Sequence, residues 1–344
     1  MPVQAADAPY YEGKTITIIM GLDASAGGTT VGRLLARHLE KALDGEPTVV
    51  VKNMPGASLM KAQLYVLRKA PKDGTVIYYG PRSSLGELLE LPGHSFKYTQ
   101  FETLGGIQIA GLVVYARNDV IDGGLKRPAD ILDAKRLLFS GMAPDHGRMI
   151  ISTLGLRLIG AEYDFIAGYP SSGATRAAVL SGETNVTVDA AHAYLNQVAP
   201  GFSRDGEGQA LFSVPHYGES GELIANPLLP DVPSLPTLYE EIAGAPPSGL
   251  VWDAITALIR IDQTMQHVFL GPPGMNAEAV DTIRAALTRA FATEDYRQDA
   301  QTILSFVPDA VGYERAARIL QSTAAVSPEE LELIKTHIAS NSQY

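Results

Sequence analysis

The sequence predicts an α/β protein built around two sheets, and three observations carry that prediction. β-branched stretches are followed by small-residue loops and then by apolar residues at helical spacing. This alternation runs through two successive series, as βαβ crossovers require. The length, 344 residues, is about twice the ~150 residues of an average domain. Apolar residues make up 46% and charged residues 19%, which suits a packed core, while 33 Gly and 22 Pro supply tight connections.

The first series opens with Thr15-Ile16-Thr17-Ile18-Ile19 as a strand, a loop over 23–29, and a helix through Val31, Leu34, Leu35 and Leu39. Thr48-Val49-Val50-Val51 is a second strand, Asn53-Met54-Pro55-Gly56 a turn, and Leu59, Leu64 and Leu67 mark a helix. Thr75-Val76-Ile77-Tyr78-Tyr79 closes the series as a strand. The second series starts near Gly111, with strands over 112–116, 136–140, 163–167, 185–188 and 210–214 and helices over 148–158 and 175–180. A Pro-rich stretch over 227–247 precedes a mostly helical C-terminal third. There Asn276 caps one helix, and Ser327-Pro328-Glu329-Glu330 forms a capping box with Pro in the first turn. Trp252, the only tryptophan, sits in an apolar stretch and reads as core.

Lys and Arg total 27 against 38 Asp and Glu, a net charge of −11, which repels nucleic acid and anionic lipid at long range. A local anion site survives this, because amides and arginines act at contact distance. The absence of cysteine excludes thiol nucleophiles, disulfides and cysteine-bound metals. No run reaches the ~18 apolar residues that span a bilayer. The opening Met1-Pro2-Val3-Gln4-Ala5-Ala6-Asp7-Ala8 is either the stub of a removed export signal behind an added initiator Met or an ordinary frayed terminus.

Four loops follow strands and open helices. In open α/β sheets such loops gather outside the carboxyl ends of the strands, where helix-start N–H groups attract anions. The loop over 21–29 contributes Leu22, Asp23, Ala24, Ser25, Ala26, Gly27, Gly28 and Thr29. It has neither the Lys of a phosphate-binding P-loop nor the spacing of a dinucleotide fingerprint, so a carboxylate is its natural guest. Gly80-Pro81-Arg82-Ser83-Ser84 is the second loop. The third, over 141–148, contributes Met142, Ala143, His146 and Arg148. The fourth, over 168–173, contributes Pro170, Ser171, Ser172 and Gly173.

Arg82 and Arg148 suit bidentate carboxylate binding, or ion pairs with Glu87 and Asp145. Asp23, Asp145 and Asp189 either face a ligand donor or cap helices, with capping the better fit for Asp145. The seven histidines show no metal-binding spacing and no nucleophile motif occurs, so no metal, cofactor or catalytic residue is expected. Ser171 or Ser172 beside His146 suits hydrogen bonding in a turn better than nucleophilic catalysis.

Taken in order, several landmarks resemble the periplasmic solute receptors of tripartite tricarboxylate transporters, the Bug-type binding proteins, in their longer form. They are Gly27-Gly28-Thr29, the stretch from Pro47 through Asn53-Met54-Pro55-Gly56-Ala57, and Ala70-Pro71-Lys72-Asp73-Gly74-Thr75. Gly168-Tyr169-Pro170-Ser171-Ser172 with Ser181-Gly182-Glu183 follows, then Leu229-Pro230-Asp231-Val232-Pro233 and Phe269-Leu270-Gly271-Pro272-Pro273-Gly274. The resemblance implies a two-lobed, type II-like Venus-flytrap fold with a mixed, mostly parallel sheet in each lobe. Lobe 1 would comprise 10–112 and the mostly helical 249–344, and lobe 2 would comprise 113–248.

The resemblance further implies a monomeric periplasmic receptor that closes on a small mono- or dicarboxylate, aliphatic or aromatic. It would pass this ligand unchanged to membrane permease subunits. The backbone amides of 22–29, 141–148 and 171–173 would hold the carboxylate, helped by water. Two departures stand out: Asp23 adds a carboxylate to the first loop, and Met142-Ala143-Pro144-Asp145-His146 replaces a more Gly/Ser-rich segment. A hydrolase or lyase using the same cleft, and a sensory module that docks on a kinase ectodomain, are the alternatives.

Overall fold

The structure, a computed structural model, describes residues 8–342 apart from positions 58, 92, 93, 110, 205 and 219. The segment over 1–7, read above as a signal stub or a frayed end, lies outside the described residues.

In chain order the first part runs β1 (Thr15–Met20), α1 (Gly27–Ala42), β2 (Thr48–Asn53), α2 (Met60–Lys69), β3 (Val76–Pro81), α3 (Ser84–Leu88) and β4 (Glu102–Gln108). Next come β5 (Leu112–Arg117), β6 (Leu138–Ser140), α4 (Gly147–Ile159), β7 (Asp164–Ile166), α5 (Ser172–Ser181), β8 (Val186–Ala190), α6 (Ala191–Gln197) and β9 (Gly208–Ser213). A small hairpin of β10 (His216–Tyr217) and β11 (Leu223–Ile224) precedes α7 (Leu235–Ala243) and α8 (Leu250–Leu258). The chain ends with β12 (His267–Gly271), α9 (Ala277–Ala292), α10 (Glu294–Leu304), β13 (Asp309–Val311), α11 (Tyr313–Gln321) and α12 (Pro328–Asn341).

These elements divide into two compact units, residues 1–109 with 265–323 and residues 110–264 with 324–344. In unit 1 the strand order is β13-β4-β12-β3-β1-β2. β1 pairs in parallel with β2 and β3, whereas β12 is antiparallel to both β3 and β4. Period-two alternation sends Ile16, Ile18, Met20, Tyr79 and Phe269 to a core that includes Leu34, Leu35 and Leu39 of α1 and Ile283 and Leu287 of α9. Ile19, Tyr78, Val268 and Leu270 face a second core with Ala62 and Val66 of α2 and Ile319 and Leu320 of α11. Both faces of the sheet are therefore covered.

Unit 2 holds the order β7-β6-β8-β5-β9. β6 is parallel to β7 and β8, and β5 is antiparallel to β8 and β9. Each unit is thus a mixed α/β sheet in which most strands share one direction. The expected caps form as read: Asn276 accepts from the Ala279 amide at 3.1 Å, and Ser327 makes a capping box with Glu330.

Three expectations need correction. β4 and β12 were not foreseen, and β12 is a central strand inside the region read as helical. Its five residues are all buried, so the run lacks the alternation by which a strand is recognised. The boundaries also move, because 249–264 and 324–344 belong to unit 2 instead of returning at 249 to the first. α12 packs on α4 and α8, and its His337 Nε2 lies 2.8 Å from Thr153 Oγ1 of α4. Trp252 is only half-buried on α8.

His337, 2% exposed, shares that polar cluster with Tyr163 and Asn341. Burial pushes its pKa from 6.5 down to about 4, with Arg157 adding to the shift. The folded state therefore resists a proton that the unfolded chain accepts, so this group's stability is complete above pH 6.5 and is lost as pH falls toward 4, about 3 kcal/mol in all. Urea unfolding at pH 7.5, 5.5 and 4.5 should show the wild-type advantage over His337→Gln shrinking steadily with acidity. A constant gap would rule out the buried neutral imidazole.

Candidate functional site

In unit 1 the carboxyl ends of β1, β2 and β3 lie at one edge of the sheet. Because β12 is antiparallel, its start reaches that edge too, with His267 paired to Pro81 and Ile107. The loop from Leu22 to Thr29 leaves β1 here and turns into α1. Thr29, fully buried, donates its hydroxyl to the Asp23 carbonyl at 2.7 Å. Asn53 Nδ2 donates to the Leu22 carbonyl at 2.7 Å and to Thr29 Oγ1 at 3.1 Å. These bonds fix the loop from beneath.

The N-cap of α1 is Ala26, which has no side chain to cap with, and no acid lies in the first turn. Neither Asp23 nor Ser25 fills that role. The Ala26 and Thr29 amides bond within the loop at 3.1 and 2.8 Å, whereas the Gly27 and Gly28 N–H groups donate to no acceptor among the described residues. A Cβ on Gly28 would stand 2.5 Å from Leu22 Cδ1 and 3.2 Å from the His267 ring, so a larger residue would have to displace the Leu22 side chain and press on His267. His267 itself is held by the Tyr79 hydroxyl at 2.9 Å. Asp23, Ala24 and Ser25 are exposed, and Arg33 steadies the Ala24 carbonyl at 3.1 Å.

Arg82 is 7% exposed, with Nε donating to the Met265 carbonyl at 2.9 Å and its amide to the Gln266 carbonyl at 3.3 Å. This guanidinium ties the end of β3 to the start of β12. The Ser83 amide donates to the Tyr98 hydroxyl at 2.6 Å.

In unit 2, β6 and β7 are parallel neighbours, so α4 and α5 start side by side. His146 is the N-cap of α4, its Nδ1 accepting from the Arg148 amide at 3.3 Å; Asp145, expected as the cap, is not. Met142 and Ala143 turn the loop, their carbonyls accepting from Gly168 at 2.9 Å and from His146 at 3.0 Å. At Gly141 any side chain would enter the Phe165 ring. Exposed Pro170 leads into Ser171, the N-cap of α5, whose Oγ accepts from Ala174 at 3.3 Å. Arg148 Nη1 reaches Ser172 Oγ at 3.4 Å, joining the two helix starts. The Ser172 and Gly173 amides, like those of unit 1, have no acceptor among the described residues.

Asp189 sits at the end of β8 and is 1% exposed. Its two oxygens are held by Arg176 Nε and Nη2 at 2.7 and 2.9 Å, so its carboxylate is an internal partner of α5 and not an open ligand contact. The two halves of the predicted set thus gather at two sheet edges, each within its own unit. Sequence reasoning missed the parts played by Asn53, His267 and Arg176. Arg176 alone had a visible signal, lying one helical turn beyond Ser172 on a helix that starts at a candidate loop.

No family model and no curated sequence matches the chain. Solved structures do match over nearly its whole length. A TctC solute-binding protein from Polaromonas superimposes with a TM-score of 0.66 at 15% identity, covering 96% of this chain and 99% of that one. The periplasmic binding protein BugD gives 0.61 at 17%, covering 95% and 98%. The fold is that of periplasmic solute-binding proteins. MatC from Rhodopseudomonas palustris, solved with bound malate, shares this periplasmic-binding-protein fold at a TM-score of 0.58 and 17% identity over 95% of this chain and 99% of its own.

Replacing Asn53 by Ala removes both bonds beneath the first loop, at about 1 kcal/mol each. Urea denaturation of Asn53→Ala should show a loss of about 1–2 kcal/mol. An unchanged midpoint would mean that the loop is held by other contacts.

Proposed function

We propose that this protein is a periplasmic solute-binding protein that captures a small organic carboxylate and delivers it unaltered to the permease of a tripartite tricarboxylate-type transporter. The observation that carries this reading is the pair of open amides at Gly27 and Gly28. They stand at a helix start with no capping side chain and no acid in its first turn. Two peptide N–H groups and the positive end of the α1 dipole converge there, which suits a carboxylate oxygen.

A hydroxyl or an amine would gain less from this arrangement: the dipole favours negative charge, and the ammonium form of an amine offers no acceptor to the N–H groups and is repelled. The open amides at Ser172 and Gly173, with Arg148 beside them, repeat the same preference in unit 2. Ser171 Oγ accepts the Ala174 amide as a helix cap, which supports a binding role over nucleophilic catalysis at that turn. The folds of BugD and the TctC protein support a periplasmic receptor, and the malate in MatC supports the carboxylate class. We read the chain as working without cofactor and as a monomer.

A thermal-shift panel of acetate, benzoate, succinate and citrate tests this, with native mass spectrometry on the recovered ligand. A carboxylate present at 100 times its dissociation constant should add about 2.7 kcal/mol of stability and be recovered at its original mass. Chemical conversion of the ligand would favour the enzyme reading, and no stabilisation by any member would contradict carboxylate capture.

A further inference from the structure

Two of the arginines of unit 2 stand in very different circumstances. Arg176 on α5 grips both oxygens of Asp189, and its Nη1 also donates to Gln197. The Tyr115 hydroxyl completes the shell around Asp189, 3.4 Å from Oδ2. This pair is largely buried and bidentate, the strong form of an arginine–carboxylate contact. Arg148 on α4 is half-buried, yet among the described residues its side chain makes one long hydrogen bond, to Ser172 Oγ at 3.4 Å, and no ion pair. Four of its five N–H donors have no acceptor among the described residues.

The Arg148 guanidinium is therefore partly withdrawn from water without gaining a bonded anion, and its open donors suit an anionic ligand. Burial disfavours its charged form, and the fields of Asp189 and Asp262 oppose that from a distance. His192 on α6 feels the same local charge: burial lowers its pKa first, and Arg148 lowers it further. Asp189 is thus close enough to act on Arg148 but is held by Arg176. Without Arg176 it would be a buried carboxylate in need of a cation, a costly condition that drives re-pairing.

We propose that the Arg176–Asp189 pair is a guard: it occupies the Asp189 carboxylate and so leaves the Arg148 guanidinium, with the Ser172 hydroxyl, to bind an oxyanion. Arg148 is then the specificity-determining contact of unit 2, and Arg176 is a positioning residue that acts through Asp189. The inference deepens the carboxylate-capture reading and rests on it for the natural ligand, whereas its test uses inorganic sulfate and does not.

Sulfate affinity is measured by calorimetry and by thermal shift against NaCl of equal ionic strength, in wild type and in four variants. Wild type should bind sulfate specifically, and Arg148→Met should lose that binding. Arg176→Met should weaken it about tenfold, because Asp189 turns to Arg148. Asp189→Asn should bind at least as well as wild type, and Arg176→Met/Asp189→Asn should return to within about threefold of it.

A purely structural ion pair would instead make Asp189→Asn and the double variant bind as poorly as Arg176→Met. That result, wild-type affinity in Arg176→Met, or the absence of sulfate-specific binding in wild type would each overturn the guard. If Arg176→Met fails to fold, Asp189→Asn decides by itself, since loss of sulfate binding there contradicts the proposal. A carboxylate that binds while the sulfate pattern fails would sink only this inference. The expected sulfate pattern without any bound carboxylate would sink only the functional reading.

Discussion

Peptide N–H groups left open at the start of a helix are the constraint around which both units are arranged. Every helix begins with donors that have no intrahelical acceptor, and a protein normally covers them with a capping side chain, as Asn276, Ser327 and Thr293 do here. At α1 the cap position is an alanine and the next two residues are glycines. The donors remain available, and the sheet edge must hold them in place without covering them.

The means of holding differ between the units. In unit 1 it is done from below, by Asn53 and Thr29 on the loop carbonyls and by His267 against Gly28. That support depends on topology: only an antiparallel β12 could bring its first residue to the edge where the parallel strands end. In unit 2 side chains do more. His146 and Ser171 cap the helices, and Arg148 bridges their first turns. Asp189 is a buried charge with a dedicated partner. Unit 1 therefore presents main-chain dipoles, and unit 2 adds a full positive charge.

The local pattern of the chain was readable where helix and strand periods are distinct. α1 and the strands β1 to β3 follow from alternating β-branched residues and from leucines at three- and four-residue spacing, and the caps at Asn276 and Ser327 follow from short-range chemistry. β12 was hidden because a fully buried strand has no polar face. The span of unit 2 was hidden because α12 joins it through contacts such as Thr153 with His337, 184 residues apart, which no local window contains. The same limit applies to the site. Loops and glycines were visible as a class, but the engagement of Asp189 by Arg176 and of Arg82 by Met265 depends on side-chain direction, which spacing alone does not determine.

The claim that anions are taken up by main-chain donors at the start of α1 is tested most directly by the amide resonances of Gly27 and Gly28. Under saturation with the carboxylate that stabilises the protein most, both amide protons should move downfield and exchange more slowly with solvent. Unchanged shifts and exchange at these two glycines, in a sample that binds the carboxylate, would contradict the account.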